Sequence, residues 1–169
     1  DMQRGHTESI NTNIIGELRD QIPDISLRTT LMVGFPGESD DDFQKLLEFV
    51  KISKFDKMGA FTYSHEEHTS AVRKFSDSIP PETKQIRLDE LMELQYEISL
   101  DLLQQKIGKE FKVIIDRKDD QFFIARSEFE SPEVDGEIKI ENHPDLKIGE
   151  FYNVRITSSD AYDLFAKII

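Results

Sequence analysis

Cysteine and tryptophan are both absent from the 169 residues of this chain. Without a thiol the chain forms no disulfide, offers no cysteine nucleophile, and has no thiolate with which to ligate an iron–sulfur cluster. Long apolar runs are missing as well. Stretches such as Val113-Ile114-Ile115 are strand-sized, against the roughly 20 residues needed to cross a bilayer, and the opening residues lack the pattern of a signal peptide. Bases are few relative to acids: 21 Lys and Arg stand against 34 Asp and Glu, a net charge of −13. Such a surface repels nucleic-acid phosphate unless a local basic patch overrides the field, and here Lys and Arg are scattered singly or in pairs. A basic protein is the more natural partner, with plain solubility as the alternative. A hydrophobic share of 37% with 33% charged residues describes a soluble globular chain long enough for one or two small domains.

The two halves differ in period. Ile10, Ile14, Ile15 and Leu18 sit at helical spacing and Pro23 closes that helix. Leu27–Val33 reads as a buried strand, broken by Gly34-Phe35-Pro36-Gly37. Ser39 or Asp40 can cap the next helix, whose apolar face is Phe43, Leu46, Leu47 and Val50. Met58–Tyr63 reads as a second strand. Strand, crossover helix and strand together predict a parallel sheet with helices outside. Residues 64–78 form a polar loop, and Pro80-Pro81 then starts a long helix. Leu91, Leu94, Ile98 and Leu102 make its apolar stripe and Gly108 its stop.

Beyond Gly108 the pattern is that of strands. Lys112–Asp116, Phe122–Arg126, Glu137–Ile140, Tyr152–Thr157 and Leu164–Ile169 are separated by Asp119-Asp120, Pro132, Asp135-Gly136, Pro144 and Gly149. Short strands at this density predict a small five-stranded barrel of the OB type. The fold class expected is thus α/β followed by all-β, with residues 1–104 in the first domain and 105–169 in the second, and a helix over about 80–107 between them. Two parallel strands need neighbours and cover on both faces. That need, and a start at Asp1 without an initiator Met, lead us to expect the C-terminal piece of a larger protein.

Several positions could carry chemistry. Val33-Gly34-Phe35-Pro36-Gly37-Glu38 lies where a strand hands over to a helix, the edge of a parallel sheet at which ligands bind. Gly34 and Gly37 allow close backbone approach, Pro36 stiffens the turn, and Glu38 could pin the loop or accept from a ligand amine. An ordinary tight turn is the alternative. Asp40-Asp41-Asp42 resembles a metal site at first sight, but acids at a helix start are stabilised by its unpaired N–H groups. In His65-Glu66-Glu67-His68 the histidines stand three apart, not the four of zinc proteases, and on a loop. Phe35, Phe61 and Tyr63 could stack on a planar ligand such as adenine, with core packing as the alternative. In the barrel half, residues 126–136 are mostly acidic, a poor phosphate groove and a candidate protein-docking loop.

Several of these segments also carry a resemblance. Met2-Gln3-Arg4-Gly5, Leu27-Arg28-Thr29-Thr30, Val33-Gly34-Phe35-Pro36-Gly37-Glu38, Phe61-Thr62-Tyr63-Ser64 and Met92-Glu93-Leu94-Gln95 occur in the order seen in radical SAM methylthiotransferases, and the barrel that follows resembles a TRAM domain. Pro132-Glu133-Val134-Asp135-Gly136, Ile156-Thr157 and Tyr162-Asp163-Leu164 resemble the RimO-type branch, which modifies a ribosomal protein. The resemblance implies the C-terminal half of a radical SAM (β/α) partial barrel followed by TRAM, in a cytoplasmic transferase. The whole enzyme would use S-adenosyl-L-methionine (SAM) and two 4Fe–4S clusters. Their cysteines would lie outside this chain, so no catalytic or metal-ligating residue is expected within it.

The implied reaction is radical removal of hydrogen from the β-carbon of an aspartate on the twelfth small-subunit ribosomal protein, followed by methylthio transfer. Gly34, Phe35, Pro36, Gly37 and Glu38 would line the SAM site. Phe61 and Tyr63 would lie near the adenine, and Arg28 would begin the strand that enters the site. The TRAM half would dock the basic ribosomal protein. The alternatives are a methylthiotransferase acting on adenosine in tRNA, which predicts a basic face on the barrel, and a non-catalytic OB-like binding module. The sequence departs from the family at Gln3, where Arg is usual, and at His68-Thr69-Ser70-Ala71, where Gly-Thr-Pro-Ala is usual. A loop of different shape is expected at the second departure.

Overall fold

The computed structural model describes the backbone of residues 8–169 and the side chains of residues 13–169. The elements are α1 (Glu8–Gln21), β1 (Arg28–Val33), α2 (Asp40–Ser53), β2 (Lys57–Thr62), α3 (Ser70–Lys74), α4 (Pro81–Gln104), β3 (Glu110–Lys118), β4 (Phe122–Arg126), β5 (Ile138–Glu141), β6 (Phe151–Ser159) and β7 (Leu164–Ile168). They fall into two compact units that divide between Gln95 and Tyr96, within α4.

In the first unit β1 and β2 pair in parallel, from Arg28 opposite Lys57 to Val33 opposite Thr62. Helix α2 makes the crossover. Ser39 caps it, accepting the Asp42 N–H at 3.2 Å, while the Asp42 carboxylate accepts the Ser39 N–H at 3.0 Å. Of the acidic run Asp40-Asp41-Asp42, Asp42 closes this reciprocal box. Phe43 and Val50, seven apart on α2, are buried. Lys54 ends the helix in the left-handed region at φ 45°, where its carbonyl accepts from Arg19 at 2.8 Å. Among the described residues, most of those on one face of the sheet are exposed. Arg28, Thr30, Gly59 and the ring of Phe61, 47% accessible, are exposed on it, and Gly59 faces Thr30 across the pairing. An uncovered parallel sheet is unusual, because such sheets are normally covered on both sides.

One expected loop contains structure. Within residues 64–78, Thr69 accepts the Val72 N–H at 3.3 Å and starts the short helix α3. The polar composition of this stretch hid the helix, since Ser70–Lys74 offers little apolar periodicity. His68 precedes it at φ 68°. Here the backbone takes the conformation a glycine would favour, although the residue carries a Cβ.

The second unit is a closed barrel in the order β3-β4-β5-β7-β6, with β6 returning to β3. All pairs are antiparallel except β5 with β7. Alternation along each strand sends Val113, Ile115, Ile138, Ile140, Val154, Ile156, Leu164 and Ala166 inward, joined by Leu103 of α4. Register shifts at Ile115/Arg117 and Ile156/Ser158 bend β3 and β6, as a small barrel requires. Two tight features tie its last strand. A Cβ on Gly136 would stand 1.7 Å from the Tyr162 carbonyl oxygen. Asp163 accepts the Glu137 N–H at 2.8 Å and the Lys139 ammonium at 2.6 Å, holding β5 against β7.

Turn carboxylates complete the closure. Asp119 accepts the N–H groups of Phe122 and Gln121 at 2.6 and 2.9 Å, and these bonds lower its pKa. For Asp160, burial raises the pKa but the N–H groups of Asp163 and Tyr162 outweigh it, for a net lowering.

Two outcomes follow. Gly136→Ala should destabilise the barrel by about 3 kcal/mol or more, because the clash is with backbone rather than a movable side chain; a denaturant titration within about 1 kcal/mol of wild type would contradict this packing. Carboxylates with lowered folded pKa give stability that is present above their unfolded value, about 3.9, and lost as pH falls through the folded values. The denaturation midpoint should therefore fall in acid below about pH 4, and Asp119→Asn with Asp160→Asn should flatten that acid limb. An unchanged limb in the double variant would count against the assignment.

Candidate functional site

The ends of β1 and β2 lie side by side, so the loops leaving them share one edge. Gly34 follows β1 at φ 75° and Gly37 follows at φ 89°. Between them Pro36 is buried, Phe35 half-buried, and the turn is closed by the Glu38 N–H donating to the Phe35 carbonyl at 2.9 Å. The Gly34 N–H donates to both carboxylate oxygens of Glu38, at 3.1 and 3.0 Å. Of the two uses open to Glu38, pinning the loop is the one made here.

The pin has a counter-ion. Arg87 of α4 donates to Glu38 Oε1 at 2.6 Å, to the Glu38 carbonyl at 3.3 Å and to Asp40 at 2.6 Å. The Arg87 and Glu38 side chains are 7% and 12% accessible, whereas Asp40 is 94% accessible. Burial pulls the Arg87 pKa down, but its bonds to Asp40 and Glu38 together push it above the usual arginine range. The buried contact to Glu38 is the consequential one; removing one partner of such a pair costs about 3–5 kcal/mol, while an exposed pair contributes at most about 1.

Lys84, one turn earlier on α4, is equally buried. Its ammonium donates to Asp77 at 2.7 Å and to the Tyr63 carbonyl at 3.3 Å. Its stem packs on Gly34, where a Cβ would meet Lys84 Cγ at 2.4 Å. Tyr63, 7% accessible, meets Phe35 edge-on with centroids 5.2 Å apart, and its hydroxyl shares a hydrogen bond with His65 Nδ1 at 3.0 Å. Phe35 in turn meets Phe75.

Gly34, Phe35, Pro36, Gly37, Glu38 and Tyr63 thus form one cluster. Within it Tyr63 and Glu38 face inward as supports, and Gly37 is exposed with nothing within 4 Å of a built Cβ. Phe61 and Arg28 stand on the open sheet face. Met2-Gln3-Arg4-Gly5 lies outside the described residues. His65 and His68 do not converge on a metal-binding group, and no group of three or more His, Asp or Glu suited to a metal occurs among the described residues. Lys84 and Arg87 were missed in the sequence. The available signal was the stripe itself: counting back four and seven from Leu91 puts both cations on its face.

On the barrel, residues 126–136 lie beside a depression of about 400 Å³ whose rim includes Arg117, Arg126, Glu130, Pro132, Glu133 and Glu137. Much of its charge is spent internally. Asp116 takes Arg126 at 2.9 Å, Arg117 pairs with Glu137, and buried Glu130 accepts from Ser127. Glu128 and Glu133 remain exposed. A smaller depression of about 310 Å³ is lined by Lys112, Ile114, Arg126 and Phe151 among others; the Lys112 ammonium stands 4.9 Å over the exposed Phe151 ring.

A sequence model of the TRAM domain matches residues 107–169, which places the barrel in that class. Over nearly its whole length the chain is also similar to proteins named "Ribosomal protein uS12 methylthiotransferase RimO". It is 54% identical to that of Phocaeicola vulgatus over 169 residues, covering 99% of this chain and 39% of the relative. The Bacteroides thetaiotaomicron protein is 50% identical with the same coverage, and the Flavobacterium johnsoniae protein 46% identical over 98% of this chain and 38% of its own. The chain spans about two fifths of the length of these relatives. Among solved structures, the apo form of Mycoplasma genitalium RNase R aligns over 63% of this chain and 20% of its own, with 17% identity and a TM-score of 0.33. That likeness is too slight to bear on function.

His68→Gly should stabilise the first unit by about 0.5–1 kcal/mol, relief of left-handed strain exceeding the entropy of an added glycine. Thermal denaturation checks this, and a loss of stability would show that the imidazole makes a compensating contact.

Proposed function

We propose that this chain is the C-terminal part of a radical SAM methylthiotransferase that modifies an aspartate of ribosomal protein uS12. In this reading residues 1–104 form part of the radical SAM domain, α4 leads out of it, and residues 105–169 are the TRAM domain. What carries the proposal is the match along 99% of the chain to proteins of that name. The open face of the β1–β2 sheet supports it, because a partial barrel presents such a face to its interior. Cytoplasmic location follows from the substrate, and no helix among the described residues is long and apolar enough to cross a membrane.

The residues present fit SAM and do not fit an iron–sulfur cluster. The exposed backbone at Gly37 and the half-open ring of Phe61 offer close approach and a stacking surface for a nucleoside. Cysteine is absent, so the clusters would be held by residues outside this chain and nothing here acts through them. When bound, SAM supplies a radical able to take hydrogen from an unactivated carbon, and a methyl group. The chain's own residues bind and orient. Gly37 brings exposed backbone to the ligand, buried Gly34 with Pro36 and the Glu38 pin keeps the turn in one shape, and Phe61 covers the base. Arg28, at the start of β1, lies on the same face. Phe35, Phe75 and Tyr63 pack behind the loop and keep water from its underside.

The TRAM barrel would dock the basic ribosomal protein. Five carboxylates stand against two guanidiniums around the larger depression; Asp116 and Glu137 neutralise the two guanidiniums, and the negative charge left over is an electrostatic match to a cationic partner. The reading in which tRNA is the substrate draws on Lys112, Arg126 and Phe151 at the smaller depression, but Arg126 is already held by Asp116. A third reading, a binding module without chemistry, is the one under which Phe61 has no role with SAM.

A competition titration tests the docking. Labelled chain, offered purified uS12 and bulk tRNA at two salt concentrations, should prefer uS12, and the affinity should weaken with salt. Preference for tRNA would transfer the substrate assignment to nucleic acid.

A further inference from the structure

Helix α4 buries two cations one turn apart, Lys84 and Arg87, each 6% accessible. Each joins segments remote in sequence. Arg87 reaches back 49 residues to Glu38, and Glu38 holds the Gly34 N–H. Lys84 takes the Tyr63 carbonyl at the end of β2 and Asp77 beyond it, while its stem lies against Gly34. One helical turn therefore contacts the loops leaving both parallel strands.

Stability alone does not call for this arrangement. Apolar side chains of similar volume in place of a buried ion pair are often neutral or stabilising. What the pairs add is direction. The guanidinium fixes the carboxylate, and the carboxylate holds the Gly34 N–H of the left-handed turn.

We infer that Lys84 and Arg87 are positioning residues for the nucleoside-binding edge: they act through Glu38, Gly34 and Tyr63 to set the backbone on which the ligand rests. The inference depends on reading that edge as the SAM site, and the experiment separates the two. The first measurement uses the 169-residue chain without ligand. Hydrogen exchange of the Gly34 amide is followed by NMR in wild type, Arg87→Lys, Arg87→Met and Lys84→Met, with barrel amides such as Val154 as internal standard. Arg87→Met should speed exchange at Gly34 about tenfold or more, because Glu38, the acceptor of that N–H, loses the charge-assisted bond that holds it in place. Arg87→Lys should restore part of the protection. Lys84→Met, which keeps the stem over Gly34, should instead shift the Tyr63 and Asp77 resonances.

The second measurement is the SAM dissociation constant of the intact, cluster-loaded enzyme. It should rise about five- to tenfold in Arg87→Met with the cluster absorption spectrum unchanged. Unaltered Gly34 exchange in Arg87→Met would overturn the positioning role whatever the SAM affinity. Faster exchange with unchanged SAM affinity would leave the loop lock standing and overturn the SAM assignment of the edge. If Arg87→Met does not fold, Glu38→Gln interrupts the same chain of bonds at its next member and is read against the same two outcomes.

Discussion

A guanidinium withdrawn from water must satisfy its donors, and Arg87 does so with the side chain and carbonyl of Glu38 and the side chain of Asp40. Much of the first unit is arranged around that requirement. Glu38 can serve Arg87 and Gly34 together only if the turn after β1 closes tightly, which the positive φ at Gly34 and Gly37 allows. Asp40, the first residue of α2, ties the helix start to the same cation. Leu91 continues the stripe that Lys84 and Arg87 begin, so α4 is held at this end by charge and further along by apolar burial. Lys84 extends the arrangement to the end of β2, and the aromatic group of Phe35, Tyr63 and Phe75 fills the space beneath.

The barrel depends on a different constraint, close backbone approach. Gly136 admits the Tyr162 carbonyl, and Asp163 bonds to Glu137 and Lys139. Pro132–Gly136 and Tyr162–Leu164 are separate segments of sequence, yet they meet where β5 and β7 pair. Part of what makes these segments recognisable is therefore barrel closure, not contact with a substrate. The same holds for much of the acidity. Asp119, Asp160, Asp163 and Glu130 are committed to turns and strand ends, so a partner meets fewer free carboxylates than the net charge suggests.

The β1–β2 edge combines two features that the barrel lacks. An open parallel sheet face carries Arg28 and Phe61, and beside it a glycine turn is held by buried charge.

Local pattern made much of the architecture legible in the sequence. Period-two alternation marked the strands of the barrel, and helical spacing with Ser39 and Pro81 marked α2 and α4. The glycine turn was visible as a break between strand and helix, and motif order pointed to the family. Other features were settled only by tertiary structure. Helix α3 rests on a Thr69 cap within a polar stretch that carries no apolar period. His68 takes a glycine-like φ that composition does not reveal. Phe61 and Tyr63, alike in sequence, part company because one lies on the open face and the other under Lys84. Whether Glu38 pins a loop or meets a ligand depends on an arginine 49 residues away. Periodicity reports which face a residue shares with its neighbours along the chain; it carries no information about which distant charge will be buried against it.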